Sequence, residues 1–141
     1  MSTEKTFLTA SVSINAPIEK VWLRWTSPED IQQWNSPGSG WVTSRVENDL
    51  RPGGRFLYVM ESPAEGITFN FGGTYDDMIT HSKISYTLDD GRTSTIVFEG
   101  DGPVMLTETF EPEASQPFGM QQEFCSGVLQ TFKKYTEEKE G

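Results

Sequence analysis

Between Trp41 and Pro112 the chain reverses direction five times, and each reversal takes only a few residues. The turn signals are Arg51-Pro52-Gly53-Gly54, Ser62 to Gly66, Thr80-His81, Asp89-Asp90-Gly91-Arg92 and Gly100-Asp101-Gly102. They separate extended runs at 41–48, 55–61, 67–78, 81–88, 93–100 and 103–111. Parallel strands need long crossovers, so connections this short make successive strands antiparallel neighbours. Phe56, Tyr58 and Met60 share one strand face by the two-residue period, and Phe69, Phe71 and Tyr75 share another.

The flanks complete the layout. Residues 7–15 alternate through Leu8, Ala10, Val12 and Ile14 and read as a half-buried strand. Ala16-Pro17 then opens a helix whose apolar stripe is Ile18, Val21, Trp22 and Trp25. Ser27-Pro28-Glu29-Asp30 opens a second, with Ile31 and Trp34 as its anchors, and Asn35 to Gly40 is loop. Residues 118 to about 138 form the long helix. With Val128 at zero and about 100° per residue, Met120, Phe124, Tyr135, Phe132, Cys125 and Leu129 fall within one broad face, and Gln121 lies near its middle. Glu123, Gln130, Lys133, Lys134 and Glu137 take the opposite face. The predicted order is β-α-α-β6-α, an α+β domain in which a curved antiparallel sheet grips the long C-terminal helix and leaves a hollow between them. One domain covers 1–141, with residues from about 136 to 141 expected to fray.

Charge and residue counts narrow the function classes. Eleven Lys and Arg against 21 Asp and Glu give a formal charge of −10, which repels duplex nucleic acid and anionic membranes. One cysteine and one histidine exclude an intramolecular disulfide, a multi-cysteine metal site and a histidine-rich one. No apolar run reaches signal-peptide or membrane-spanning length, so a cytoplasmic protein without membrane insertion is the expectation. Phosphate-loop and dinucleotide-binding glycine motifs are absent, and no cofactor is expected.

The remaining reactive groups have structural explanations. The loop Asp49 to Arg55 reads as a tight strand connection in which an aspartate pairs locally with an arginine, rather than as a carboxylate-binding site. Asp76-Asp77 and Asp89-Asp90 read as solvated, and Gly72-Gly73 as a bulge or bend. His81 falls at a strand junction with no nucleophile motif beside it, and Cys125 on a helix's apolar face reads as a small hydrophobe. No catalytic or metal-binding residue is assigned.

Several strings carry a resemblance. N-A-P-I-E-K-V-W at 15–22, W-T-S-P-E-D-I at 25–31, E-N-D-L-R-P-G-G-R-F at 47–56, G-T-Y-D-D-M-I at 73–79, Y-T-L-D-D-G-R at 86–92 and L-Q-T-F-K-K-Y-T-E at 129–137 resemble the START-like helix-grip (SRPBCC) superfamily. The nearest branch is the one named after the activator of the heat-shock-protein-90 ATPase, in its small bacterial single-domain form. The resemblance implies an internal cavity, in a superfamily whose members bind lipids, hormones, polyketides and plant phenolics. Relatives carry Gly-Trp-Gln-Ala in the long helix where this chain has Phe124-Cys125-Ser126-Gly127, which moves one large side chain and replaces Trp by Cys.

The functional expectation is a hydrophobic or aromatic small molecule in that cavity. The expected lining is Trp34, Trp41, Phe56, Tyr58, Phe69, Phe71, Tyr75, Phe98, Gln121, Phe124, Cys125 and Val128, with Trp34 and Trp41 at the mouth and Tyr58, Tyr75 and Gln121 orienting the ligand. Two alternatives stand beside it: a co-chaperone-like module with a chaperone partner, and a cyclase- or hydrolase-type enzyme. A monomer or homodimer is expected.

Overall fold

The computed structural model describes residues 6–37 and 40–140. Its elements are β1 (Leu8–Ile14), α1 (Ile18–Thr26), α2 (Pro28–Trp34), β2 (Val42–Asn48), β3 (Arg55–Ser62), β4 (Ile67–Ile79), β5 (Lys83–Leu88), β6 (Thr93–Glu99), β7 (Val104–Phe110) and α3 (Phe118–Glu140). The predicted β-α-α-β6-α order is present. Part of the loop expected at Asn35 to Gly40, residues 38 and 39, lies outside the described residues.

The seven strands form one antiparallel sheet in the order β1-β7-β6-β5-β4-β3-β2. The sheet curls around α3 into the helix-grip arrangement. Two register shifts increase its bend, between Thr43 and Arg45 and between Tyr75 and Asp77. The second lies just beyond Gly72-Gly73, whose own pairing is regular. Gly73 serves a close approach instead: a Cβ there would stand 2.4 Å from the Thr87 carbonyl oxygen and 3.1 Å from the Phe56 ring.

Pairing register arranges the inner face in rows. Val12, Leu106 and Phe98 form one row, Ala10, Glu108, Ile96 and Ile84 the next, and Leu8, Phe110, Ser94, Tyr86 and Tyr75 the one after. The first row lies under α1 and α2. There Trp22 packs on Phe98 at 5.2 Å between centroids, Trp25 stacks on Trp34 at 4.5 Å, and both Trp25 and Trp34 meet Phe132 of α3 edge-on at 4.9 and 4.8 Å. Each such buried ring contributes about 1.5–3 kcal/mol. Trp34 also donates its Nε1 proton to the Arg24 carbonyl at 2.8 Å, which satisfies its one polar atom.

α1 buries Ile18, Val21, Trp22 and Trp25, the predicted stripe. Ser27 ends α1 and precedes α2, but its side chain makes no capping bond; Pro28 at the first helical position starts α2. The C-terminal residues of α3 correct an expectation. Instead of fraying from about 136, the helix continues to Glu140. Arg24 holds Glu140 at 2.7 Å and Asp30 at 3.4 Å, and Tyr135 donates to Asp30. Glu137 accepts from the Asn15 backbone N–H at 2.8 Å and from Lys133 at 2.7 Å. The last two turns are thus tied to α1, α2 and the end of β1. None of the described helices is long and apolar enough to cross a membrane.

Candidate functional site

A cavity of about 570 Å³ lies between the inner face of the sheet and the N-terminal half of α3. The second and third rows of the inner face line it through Ile84, Ile96, Glu108, Tyr75, Tyr86, Ser94 and Phe110, and β3 and β4 add Phe56, Tyr58, Met60 and Phe71. Trp25 and Trp34 close one end, and Cys125, Val128, Phe124 and Gln121 of α3 form the roof. At the other end Ile67, Phe69, Met120 and Phe124 line the cavity while also being exposed on the surface. An apolar mouth of this kind is unusual on a free protein surface.

All but one of the twelve sequence-predicted positions stand on this wall. Phe98 does not. Register puts it in the row that α1 covers, where Trp22 and Trp25 fill the space above it. Trp34 lines the cavity from its closed end and is fully buried, whereas Trp41 is the mouth residue, its ring 6.1 Å from that of Phe124. Gln121 is on the wall with its amide already committed. Its Oε1 accepts from the Glu113 N–H at 2.8 Å, and its Nε2 donates to the Glu113 and Gln116 carbonyls at 2.8 and 3.2 Å. It fastens the segment between β7 and α3 and has no donor left to orient a ligand.

The tyrosines form a chain. Tyr58 hydrogen-bonds Tyr75, Tyr75 donates to Asn48 Oδ1 at 2.5 Å, and Asn48 donates to the Thr26 carbonyl at 2.8 Å. Tyr86 pairs with the Ser94 hydroxyl. Burial raises the pKa of Tyr58, Tyr75 and Tyr86 well above the ordinary phenol value, so all three stay neutral.

Glu108 is the residue that the aromatic pattern passed over. It stands half-buried on the cavity wall between apolar strand neighbours, Ala10 on β1 and Ile96 on β6, and faces the cavity. Burial pushes its carboxyl up to about 7, partly offset by a hydrogen bond with the Cys125 thiol. Burial, and then the Glu108 charge, push the Cys125 thiol well above its ordinary value. A signal for Glu108 was present in β7, where Val104, Leu106, Glu108 and Phe110 alternate onto one face. The site therefore offers an aromatic chamber with one carboxyl that exchanges its proton near neutrality.

The other candidates lie elsewhere. Arg51 pairs with Asp49 at 3.0 Å and Arg55 with Asp89 at 2.9 Å, both on the exposed surface. Asp76 and Asp77 are exposed; the first accepts from Thr87 at 2.6 Å, and the second faces Lys83 at 3.6 Å. His81 sits in the turn after β4 with φ of 65°, its ring edge-on to Trp22 at 5.9 Å. It is not on the cavity wall.

Comparison with known proteins places this geometry in context. Residues 15–132 match the family model described as activator of Hsp90 ATPase homolog 1-like protein. The solution structure of an AHSA1-like protein from Aeromonas hydrophila is 32% identical with a TM-score of 0.87, over 95% of this chain and 94% of that one. A protein from Cytophaga hutchinsonii is 38% identical with a TM-score of 0.79, over 93% and 92% of the two chains. A crystal structure from Nitrosomonas europaea shares the fold at 19% identity, with a TM-score of 0.80 over 99% and 98%. Among curated proteins none matches the chain.

Proposed function

The chain belongs to the family of activator of Hsp90 ATPase homolog 1-like proteins, and we propose that it holds a hydrophobic or aromatic small molecule in the cavity between its sheet and α3. The observation that carries this reading is the continuity of apolar surface from outside to inside. Ile67, Phe69, Met120 and Phe124 are exposed at the mouth and line the same cavity as the buried rings of Phe56, Tyr58 and Tyr86. Leaving such surface in water costs free energy, and an apolar guest recovers it. A volume of about 570 Å³ suits a drug-sized molecule. Lipids, polyketides and phenolics are the candidate classes.

Trp25, Trp34 and Trp41 on the wall supply the assay. At least one class among fatty acids, flavonoids and polyketide-like aromatics, titrated into the protein, is expected to quench tryptophan emission at micromolar concentration and to raise Tm. Absence of both effects across the panel overturns the reading. Native mass spectrometry of freshly purified protein is expected to retain a co-purified small molecule. The family description favours a second reading, association with the Hsp90 chaperone, which a pull-down with that chaperone tests.

A further inference from the structure

We propose that the molecule this cavity is built to take is an organic cation, an aromatic or hydrophobic skeleton bearing a protonated amine that pairs with Glu108. The proposal rests on the reading that the cavity holds a hydrophobic molecule, and it names that molecule's head group.

Glu108 stands among apolar strand residues. Its strand neighbours are Ala10 and Ile96, and the other inward residues of its own strand are Val104, Leu106 and Phe110. A carboxylate in such surroundings is costly unless a cation or several hydrogen bonds compensate it. Among the described residues no Lys, Arg or His forms an ion pair with it, and the Cys125 thiol that bonds it is a weak donor. Arg92 is the one cation among the described wall residues, and Asp90 holds its Nε at 2.8 Å. The protein thus places an acid with no ion-pair partner among the described residues on a largely aromatic wall that it shares with Ser94, Arg92, Glu111 and Glu113.

The rings around it point the same way. Phe56, Tyr58, Phe71, Tyr75 and Tyr86 form a connected cluster with centroids 5.0 to 6.1 Å apart. Glu108 lines the same cavity as these five rings, so carboxylate and rings share one space. Aromatic faces attract ammonium groups and repel anions. A ligand carrying a positive nitrogen gains from both elements, whereas a ligand carrying a carboxylate meets a second negative charge in a low-dielectric site.

The two charge states of Glu108 provide a control within the protein. Burial lifts its carboxyl to about 7, so it is ionised at pH 8.5 and protonated at pH 5.5. The other ionisable groups facing it are Tyr58 on β3, Tyr86 on β5 and Cys125 on α3, all held neutral by burial over this range. β1 and β6 present Ala10 and Ile96, and Arg92, Glu111 and Glu113 share the wall.

The test uses three probes on one skeleton: 2-naphthylmethylamine, 2-naphthylmethanol and 2-naphthylacetate, titrated calorimetrically into the full chain at pH 8.5 and 5.5. At pH 8.5 the amine is expected to bind about tenfold or more tighter than the alcohol, the range of a charge-assisted hydrogen bond, with the carboxylate weakest. At pH 5.5 that advantage is expected to fall to about threefold or less. Glu108→Gln is expected to remove the amine's advantage over the alcohol at both pH values. If the alcohol or the carboxylate matches the amine in the unmodified protein, the cation inference is wrong and the cavity reading stands. An amine preference that persists in Glu108→Gln, or that is insensitive to pH, also overturns it. If none of the three binds, the cation inference fails, and the panel of fatty acids, flavonoids and polyketide-like aromatics decides the cavity reading. Should Glu108→Gln not fold, the ranking and its pH dependence in the unmodified protein decide.

Discussion

From Leu129 onward α3 rests on solid core, while one helical turn earlier the same face of the same helix spans a cavity. Leu129, Phe132 and Thr136 are fully buried, and Phe132 meets the stacked rings of Trp25 and Trp34 edge-on. Met120 and Phe124, on the same side by helical period, are 53% and 38% exposed. The sheet beneath differs less than the helices beside it. α1 and α2 bring Trp22, Trp25 and Trp34 to one end, and among the described residues no comparable element covers the other end, where Ile67 and Phe69 of β4 are exposed. An apolar helical stripe therefore states that a face avoids water. It does not state whether protein or a guest fills the space in front of it.

The difference predicts unequal costs for equal truncations. Phe132→Ala opens a void among rings that cannot collapse, and it is expected to cost about 3–5 kcal/mol in urea denaturation. A cost under about 1 kcal/mol would show that the closed end is not the structural core.

Glu108 marks the boundary of the two regions, and pH reads it. Its folded-state pKa is about 7, against roughly 4.3 in an unfolded chain. The folded protein binds more protons between these values, so stability is fully present below about pH 4.3 and declines as the pH rises through about 7. A loss of about 1–3 kcal/mol is expected across that window, levelling off above pH 8. Glu108→Gln is expected to flatten this part of the profile. Glu137, which its hydrogen bonds to Lys133 and Asn15 hold below the usual carboxylate range, acts in the opposite sense. Its contribution is present above the unfolded pKa and disappears as the pH falls through its folded value, so the two groups separate cleanly. A profile without decline between pH 5 and 8 would mean that Glu108 is well solvated from the cavity.

Local periods made most of this molecule legible. Alternation gave the inward faces of β1 and β3, the three-to-four-residue stripe gave those of α1 and α3, and short Gly- and Pro-containing turns gave the antiparallel order. What stayed hidden depends on register or on contacts across space. Phe98 and Ile96 share a face of β6, and only pairing with Leu106 and Glu108 shows which of them α1 covers. Glu108 follows the β7 alternation, but a charged strand residue ordinarily faces water. The charged tail from Thr136 reads as solvated until Arg24 and the Asn15 backbone are seen to hold it. Gln121 fits the roof, but its amide bonds lead to a loop whose path the sequence does not specify.

Cys125 tests whether the space on the open side is real. The resemblance to relatives implies a tryptophan at this position, and Cys125 faces the cavity beside Glu108. Cys125→Trp is expected to change stability by less than about 1 kcal/mol, because the ring has volume to enter, and to weaken ligand binding at least about tenfold by occupying it. Loss of several kcal/mol with unchanged binding would place the cavity elsewhere.

The smallest stability effect is expected at Phe124, the counterpart of Phe132 on the open half. Its ring meets Trp41 edge-on at 6.1 Å and otherwise borders the mouth. Removing it takes apolar surface away from both water and the protein, so Phe124→Ala is expected to change stability by no more than about 0.5 kcal/mol. Its effect should appear in kinetics. A wider mouth lets a guest enter and leave faster, and the loss of one wall contact falls mainly on release. Stopped-flow tryptophan emission is expected to show a larger rise in the dissociation rate than in the association rate, with urea midpoints that barely move. If Phe124→Ala destabilises the fold as much as Phe132→Ala, α3 is uniformly core and the contrast between its halves is wrong. If stability and both rates are unchanged, guests enter by another route, and the exposed pair Ile67 and Phe69 on the facing strand becomes the next position to truncate.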